Sequence, residues 1–218
     1  MAEAAAIRPP SSIANEIEGL GRTFIDVFDT LELHLEEEDY VVRQDMIDSA
    51  PVIVTKCKAP GLTAEHVQRL CDDPTGVAAA MNDKMTCTYV ADDADGNKIH
   101  HFYVETPTMV SNRSMFVTYF IRKSENGEVL ILAGSTGNDR FNESHVDLVQ
   151  GGEQGELKIS YQRFIPIEGG YNVEQVSCFD AKGWLPGFVQ KLGVSRQAYL
   201  VRYQINYLMT GEKPPPVF

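Results

Sequence analysis

Basic residues are scarce in this sequence. Its 218 residues include 19 Lys and Arg against 31 Asp and Glu, so the formal net charge is −12. Such a charge repels phosphate groups, which argues against nucleic acid as a partner. It also argues against constant adhesion to anionic membranes, because no dense Lys/Arg cluster interrupts the acidic composition.

Long apolar runs and closely spaced cysteines are missing as well. No apolar run approaches the ~18 residues that a membrane-spanning helix needs, and Glu3 stands where a secretory signal carries basic residues. The four cysteines, Cys57, Cys71, Cys87 and Cys178, include no C-x-x-C pair. This spacing favours neither a disulfide framework nor a metal site. We therefore expect free thiols, no metal, no cofactor and a cytoplasmic protein.

The order of hydrophobic patterns predicts an α+β fold in one domain. Apolar residues at steps of three and four predict a helix capped by Ser11 or Ser12, a second helix opening at Thr63, and a long helix from Trp184 to about Met209. Short β-branched stretches between turn residues predict strands over 39–47, 51–58, 85–90, 98–104, 115–123, 128–134, 157–165 and 171–179.

This order predicts a mainly antiparallel sheet and a domain over residues 11–209, with flexible tails over 1–10 and 210–218. Residues 135–155 are polar and rich in glycine, which indicates a long surface loop. In the predicted strand over 116–121, neither alternate set of side chains is polar. The sheet must therefore be covered on both faces at this point.

Three segments resemble START (steroidogenic acute regulatory protein-related lipid transfer) domains. The string D-x-K-G-W-L-P over 180–186 leaves a strand and opens the last helix, as in that family. The segment N-R-S-M-F-V over 112–117 is similar to the family's S-x-R-D-F-V, although Ser114 replaces its aspartate and Met115 is inserted. The segment L-I-L-A-G over 130–134 is similar to the strand that follows. The resemblance spans roughly residues 11–209.

The resemblance implies a helix-grip fold, in which a curved sheet wraps around a long C-terminal helix and encloses a hydrophobic cavity. It implies that this cavity binds a single lipid, of the phospholipid, sterol, ceramide or fatty acid class. The last helix would present Leu185, Phe188, Val189 and Leu192 to that lipid. Trp184 would anchor the start of the helix.

Further candidate site residues come from the strands. Because side chains alternate along a strand, four residues of the predicted strand over 115–123 lie on the same face. They are Phe116, Thr118, Phe120 and Arg122. His100 shares its parity with Phe102, and it is a candidate for contact with a lipid head group, as are Arg122 and Arg163. Some sterol-binding members of the family carry an inward arginine at the position of Phe120 and an acidic partner near His100. Neither charge is present here, which weakens a sterol-specific interpretation.

Three functions remain open from the sequence. The first is a carrier or sensor without catalytic residues, which would be a monomer in transient contact with membranes. The second is a cyclase-like or hydrolase-like enzyme of the wider helix-grip superfamily, with His100 and Tyr161 as its acid/base pair. The third is a protein-interaction module whose 135–155 loop responds to the lipid. Sequence motifs of common hydrolases, metalloproteases and nucleotide-binding proteins do not occur.

Overall fold

The computed structural model describes residues 10–93, 95–107, 110–135, 146–149 and 152–216. The helices of this part of the chain are α1 (Pro10–Asp26), α2 (Ala64–Asp72), α3 (Pro74–Met81), α4 (Val146–Val149) and α5 (Gly187–Thr210). The strands are β1 (Glu32–Glu37), β2 (Tyr40–Ile47), β3 (Ala50–Pro60), β4 (Met85–Asp92), β5 (Lys98–Val104), β6 (Asn112–Lys123), β7 (Val129–Ser135), β8 (Gly152–Gln154), β9 (Glu156–Ile167) and β10 (Gly170–Asp180). The predicted α+β class is confirmed.

All ten strands belong to one sheet. Nine of them follow the order β1-β2-β3-β10-β9-β7-β6-β5-β4, each antiparallel to its neighbours. The short strand β8 pairs with β6 in parallel. The predicted antiparallel sheet with a long C-terminal helix is therefore confirmed. Strands β9 and β10 lie near the middle of the sheet.

The sequence prediction and the structure differ at several helix ends. Helix α1 begins at Pro10, so both serines proposed as caps lie inside its first turn, where a leading proline is well tolerated. Helix α5 begins at Gly187 rather than Trp184, because Leu185 precedes a proline and is thereby biased away from helical dihedral angles. The predicted cap at Thr63 is confirmed, since its side chain accepts a hydrogen bond from the backbone N–H of His66.

The two faces of the sheet are covered by different helices. The inner face packs against α5 and α2, in a buried cluster that includes Val42, Ile131, Phe164 and Val173. The outer face packs against α1, in a cluster that includes Leu132 and Val176. In the apolar strand over 116–121, Phe120 is buried on the outer face, whereas Tyr119 is only partly buried on the inner face.

The cysteines form no disulfide with one another, as expected from their spacing. Cys57, Cys71 and Cys178 are buried and Cys87 is partly buried. Burial raises the pKa of the Cys57 thiol to about 12 and that of Cys178 to about 11. Both thiols are therefore protonated and unreactive at neutral pH.

Candidate functional site

Helix α5 is most deeply buried on the inner face from Ala198 to Leu208, while Val194 packs against the same cluster in part. Ala198, Val201 and Leu208 are almost fully buried in the inner-face cluster. The hydroxyl of Tyr40, on β2, donates a hydrogen bond of 2.7 Å to the carbonyl oxygen of Ala198. This half of the helix is therefore fixed to strands β2, β3, β9 and β10.

Beyond this cluster, the same face of the sheet is less completely covered. One row of paired residues crosses β6, β7, β9, β10 and β3 in the order Tyr119, Ala133, Ser160, Ser177, Ile53. Ser160 and Ser177 sit in the middle of the sheet, yet both are only half-buried. In the next row, Leu157 and Phe179 are half-buried too. We call this region, bounded by Tyr119, Leu157, Ser160, Ser177 and Phe179, the hollow.

The wall of the hollow is apolar. A second inner-face cluster is formed by Phe102, Met115, Val117 and Ala133, with Tyr119, Leu157 and Phe179 packed against it. Among the described residues, no side chain of α5 belongs to this cluster. The hollow therefore has an apolar wall that the described part of the helix does not fill.

Polar groups of the hollow are uncharged. No described residue forms a hydrogen bond with the hydroxyl groups of Ser160, Ser177 or Tyr119. In the neighbouring row of the sheet, where Gln162 pairs with Gln175, the side-chain amide of Gln162 donates a hydrogen bond to Gln204 of α5.

Helix α5 contributes a buried polar atom without a partner among the described residues on the side that faces the sheet. Gln197 precedes Gln204 by seven residues, which is close to two turns, so both lie on the same side of the helix. The Oε1 atom of Gln197 is buried and has no hydrogen-bond partner among the described residues. A buried acceptor without a donor is unfavourable unless a ligand or a water molecule supplies one.

His100 lies on the inner face, as its parity with Phe102 predicts. Its ring contacts that of Tyr89 edge-on, with centroids 6.0 Å apart, and its Nδ1 atom is buried without a partner in the described residues. Burial lowers the pKa of His100, and the positive charge of Lys98 lowers it further. His100 is therefore neutral at pH 7.

Six of the candidate residues lie on the outer face instead, and one of them, Arg163, forms an ion pair with Glu128 there. Phe120 and Tyr161 belong to the cluster beneath α1, and a Cβ atom at Gly21 would overlap the Tyr161 ring. Arg122 forms an ion pair with Glu18 of α1. Phe116 and Thr118 share this parity along β6 and are fully buried. The inward orientation of Phe120 that the resemblance implied is wrong, because the sheet separates this face from α5.

The apolar stripe predicted along the last helix also differs in orientation. Val194 packs on the inner-face cluster. Leu192 lies two positions earlier, which is about 200° around a helix, and its side chain is 40% exposed. Trp184 is 72% exposed, so it does not anchor the helix start by packing. Leu185 and Val189 are half-buried, and the side chain of Phe188 lies outside the described part of the structure. Ligand contact by any of these residues stays a prediction.

Arg113 is a structural residue that the sequence analysis did not single out. Its buried guanidinium donates hydrogen bonds to the carbonyl oxygens of Ser111, Ala181 and Lys182. Lys182 and Gly183 both have positive φ angles, of 48° and 62°, in the turn between β10 and α5. Arg113 thus joins two of the segments on which the family resemblance rests, and it orients the chain that enters α5.

Solved structures share this arrangement. Human StAR-related lipid transfer protein 5 superposes with a TM-score of 0.71 at 14% identity, over 92% of this chain and 98% of that one. The chain has the START fold. Human STARD10 gives a TM-score of 0.70 at 11% identity over 94% and 84% of the two chains, and a StAR-related lipid transfer protein from Xanthomonas axonopodis gives 0.62 at 14% identity over 82% and 98%. No protein-family model and no curated protein matches the sequence.

Within this START fold, the acid/base pair considered for an enzyme is not formed. His100 lies on the inner face and Tyr161 on the outer face, so the sheet separates them. Among the described residues, no helix is both long and apolar enough to cross a bilayer.

Proposed function

We propose that this protein binds one hydrophobic lipid in the hollow between the sheet and the N-terminal half of α5, and that it carries or senses this lipid in the cytoplasm. The observation that supports the proposal is the half-burial of Ser160 and Ser177 in the middle of the sheet. An ordinary core would cover these positions with side chains of the overlying helix. The START fold supports the same function, because the similar structures are named as lipid transfer proteins.

The energy available from such a site is sufficient for a carrier without covalent chemistry. A sixteen-carbon acyl chain contributes about 12 kcal/mol on burial, at ~0.8 kcal/mol per methylene, before the entropy costs of binding. Displacement of the N-terminal half of α5 would open the hollow while the C-terminal half stays packed.

Transient membrane contact fits the exposed apolar residues at the start of α5. Trp184 and Leu192 are 72% and 40% exposed. Tryptophan is favoured at membrane interfaces, where its ring meets lipid and its indole N–H meets water. We propose that this end of the molecule faces the membrane during lipid exchange.

A blocking substitution tests the hollow as the lipid site. Ser177→Phe places a ring in the hollow, so we expect at least a tenfold loss of affinity for a fluorescent long-chain lipid, with little change in Tm. Ala59→Phe is the matched control on the neighbouring strand, because Ala59 is 1% exposed beneath the C-terminal half of α5. Overpacking there should cost about 1–3 kcal/mol. Native mass spectrometry of protein purified from a eukaryotic host would measure the mass of any bound lipid.

The opposite pattern would contradict the proposal. If Ser177→Phe lowers the Tm as much as Ala59→Phe does, the hollow is close-packed core. If Ser177→Phe is stable and lipid affinity is unchanged, the lipid binds elsewhere.

A further inference from the structure

We infer that the hollow selects a lipid whose head group carries hydroxyl or amide groups and no charge. This inference rests on the proposed function and names the class of ligand. Its basis is the set of polar atoms that the hollow presents.

The floor of the hollow offers groups that both donate and accept hydrogen bonds. Ser160 and Ser177 are directly opposite each other on β9 and β10, which places their Cβ atoms about 4.5–5.5 Å apart. Tyr119 lies in the same row, two strands from Ser160. A single small head group can therefore contact several of these hydroxyl groups.

The side of α5 that faces the sheet adds an acceptor. The buried Oε1 atom of Gln197 needs a donor, and the described residues provide none. A hydroxyl or an amide N–H of a ligand would satisfy it without adding a charge. A phosphate diester or a carboxylate has no proton to donate at neutral pH, and a phosphate monoester such as phosphatidic acid brings a negative charge with any proton it keeps.

The arginines on this face of β6 and next to Gln197 on α5 already interact with other protein groups. Arg113 is buried and lies on the same face of β6 as Tyr119. Backbone carbonyl oxygens already accept its hydrogen bonds. Arg196, on α5, donates one hydrogen bond to the carbonyl oxygen of Met81 at the end of α3 and stacks on Tyr203, while its buried Nε has no hydrogen-bond partner among the described residues. Burial of a charge without a counter-ion is strongly unfavourable, so a phosphate-bearing head is disfavoured here.

The test compares lipids that share their acyl chains and differ in the head group. A pyrene-labelled alkane without a head group serves as the fluorescent probe, and dioleoylglycerol and dioleoyl phosphatidic acid compete with it. We expect dioleoylglycerol to bind at least tenfold more tightly than phosphatidic acid. The double variant S160A/S177A and the variant Gln197→Leu should each reduce dioleoylglycerol affinity about fivefold to tenfold, as loss of a hydrogen bond predicts. Neither should change binding of the alkane.

Ser195→Ala is the control variant, because Ser195 is exposed on the same helix, and it should change nothing. Circular dichroism and thermal unfolding check that all variants are folded. Equal or tighter binding of phosphatidic acid would overturn the inference and leave the proposed function intact, as would unchanged dioleoylglycerol affinity in the variants. Failure of the alkane itself to bind would contradict the proposed function.

Discussion

One cluster of charged residues on the outer face is held together by short hydrogen bonds. Arg163, on the outer face, donates two hydrogen bonds to the carboxylate of Glu128, of 2.7 and 2.8 Å, and it contacts Glu174 at 3.3 Å. These side chains are largely buried, with 15–25% of their surface exposed. A two-bond pair of this kind is stronger than an ordinary surface ion pair.

Glu128→Gln should make the free energy of unfolding depend less on pH in the acidic range. The hydrogen bonds from Arg163 lower the pKa of Glu128 from its usual 4.5. Because the folded pKa lies below the unfolded one, the stabilisation is complete above about pH 5 and is lost as pH falls through the folded pKa. We expect the variant to be about 1 kcal/mol less stable at pH 7. Urea unfolding from pH 7 to 3 should show this difference shrinking below pH 4.5, and a constant difference would contradict the assignment.

The sequence predicted which side chains share one face of a strand, but it did not predict which face of the sheet is the inner one. A period of two correctly grouped Phe116, Thr118 and Phe120 on one face, but both alternate sets of this strand are apolar, so nothing in it showed which face is inward. Ser160 and Ser177 were not predicted at all, because serine on a strand is ordinary. Their significance comes from the register of β9 with β10, which aligns residues 17 positions apart.

At the scale of elements, the strong local signals predicted most of the fold. Turn residues delimited eight of the ten strands, and Thr63 marked the start of α2. Strand β1 was missed because five of its six residues are exposed, which leaves no alternation to detect. Helix α3 was missed because it is short, although Asp73 caps it by accepting a hydrogen bond from the backbone N–H of Gly76.

Helix α5 combines two kinds of packing in one element. Its C-terminal half buries Val201 and Leu208, whereas Leu192 near its start belongs to no cluster of the described residues. The sequence stripe over 185–192 was a poor guide to orientation because apolar residues also occur on the exposed side of these first turns.

The same substitution at the two ends of α5 should have very different effects. Leu208→Ala removes a side chain that is 1% exposed, so we expect a loss of about 2–5 kcal/mol in the free energy of unfolding. Leu192→Ala should change stability by less than about 0.5 kcal/mol, because the side chain is 40% exposed. Thermal and urea unfolding measure both. Similar losses for the two variants would show that α5 packs uniformly.

At the scale of the whole molecule, net charge and one exposed aromatic residue should govern the proposed membrane contact. The net charge of −12 opposes approach to an anionic bilayer. Trp184 is the sole tryptophan of the sequence, so its fluorescence reports on the start of α5 alone.

Vesicles of neutral phosphatidylcholine should shift the emission of Trp184 to shorter wavelength, because the indole moves from water into the interface. With phosphatidylserine vesicles at low salt we expect a smaller shift, which grows as salt screens the repulsion. Leu192→Ala should weaken the response to neutral vesicles, whereas Met46→Ala, an exposed residue of β2, should not. A response that Leu192→Ala leaves unchanged would place the contact surface elsewhere.

The pairing of β3 with β10 has a consequence for synthesis of the chain on the ribosome. Strand β3 ends at Pro60 and its partner begins at Gly170, so about 110 residues must be translated in between. At roughly 5–20 residues per second this takes about 5–20 s. During that time the β2–β3 hairpin has one unsatisfied edge, and Val52, Ile53 and Val54 beside it are fully buried only in the finished sheet. The newborn chain is therefore expected to depend on chaperones until β10 emerges and completes the centre of the sheet.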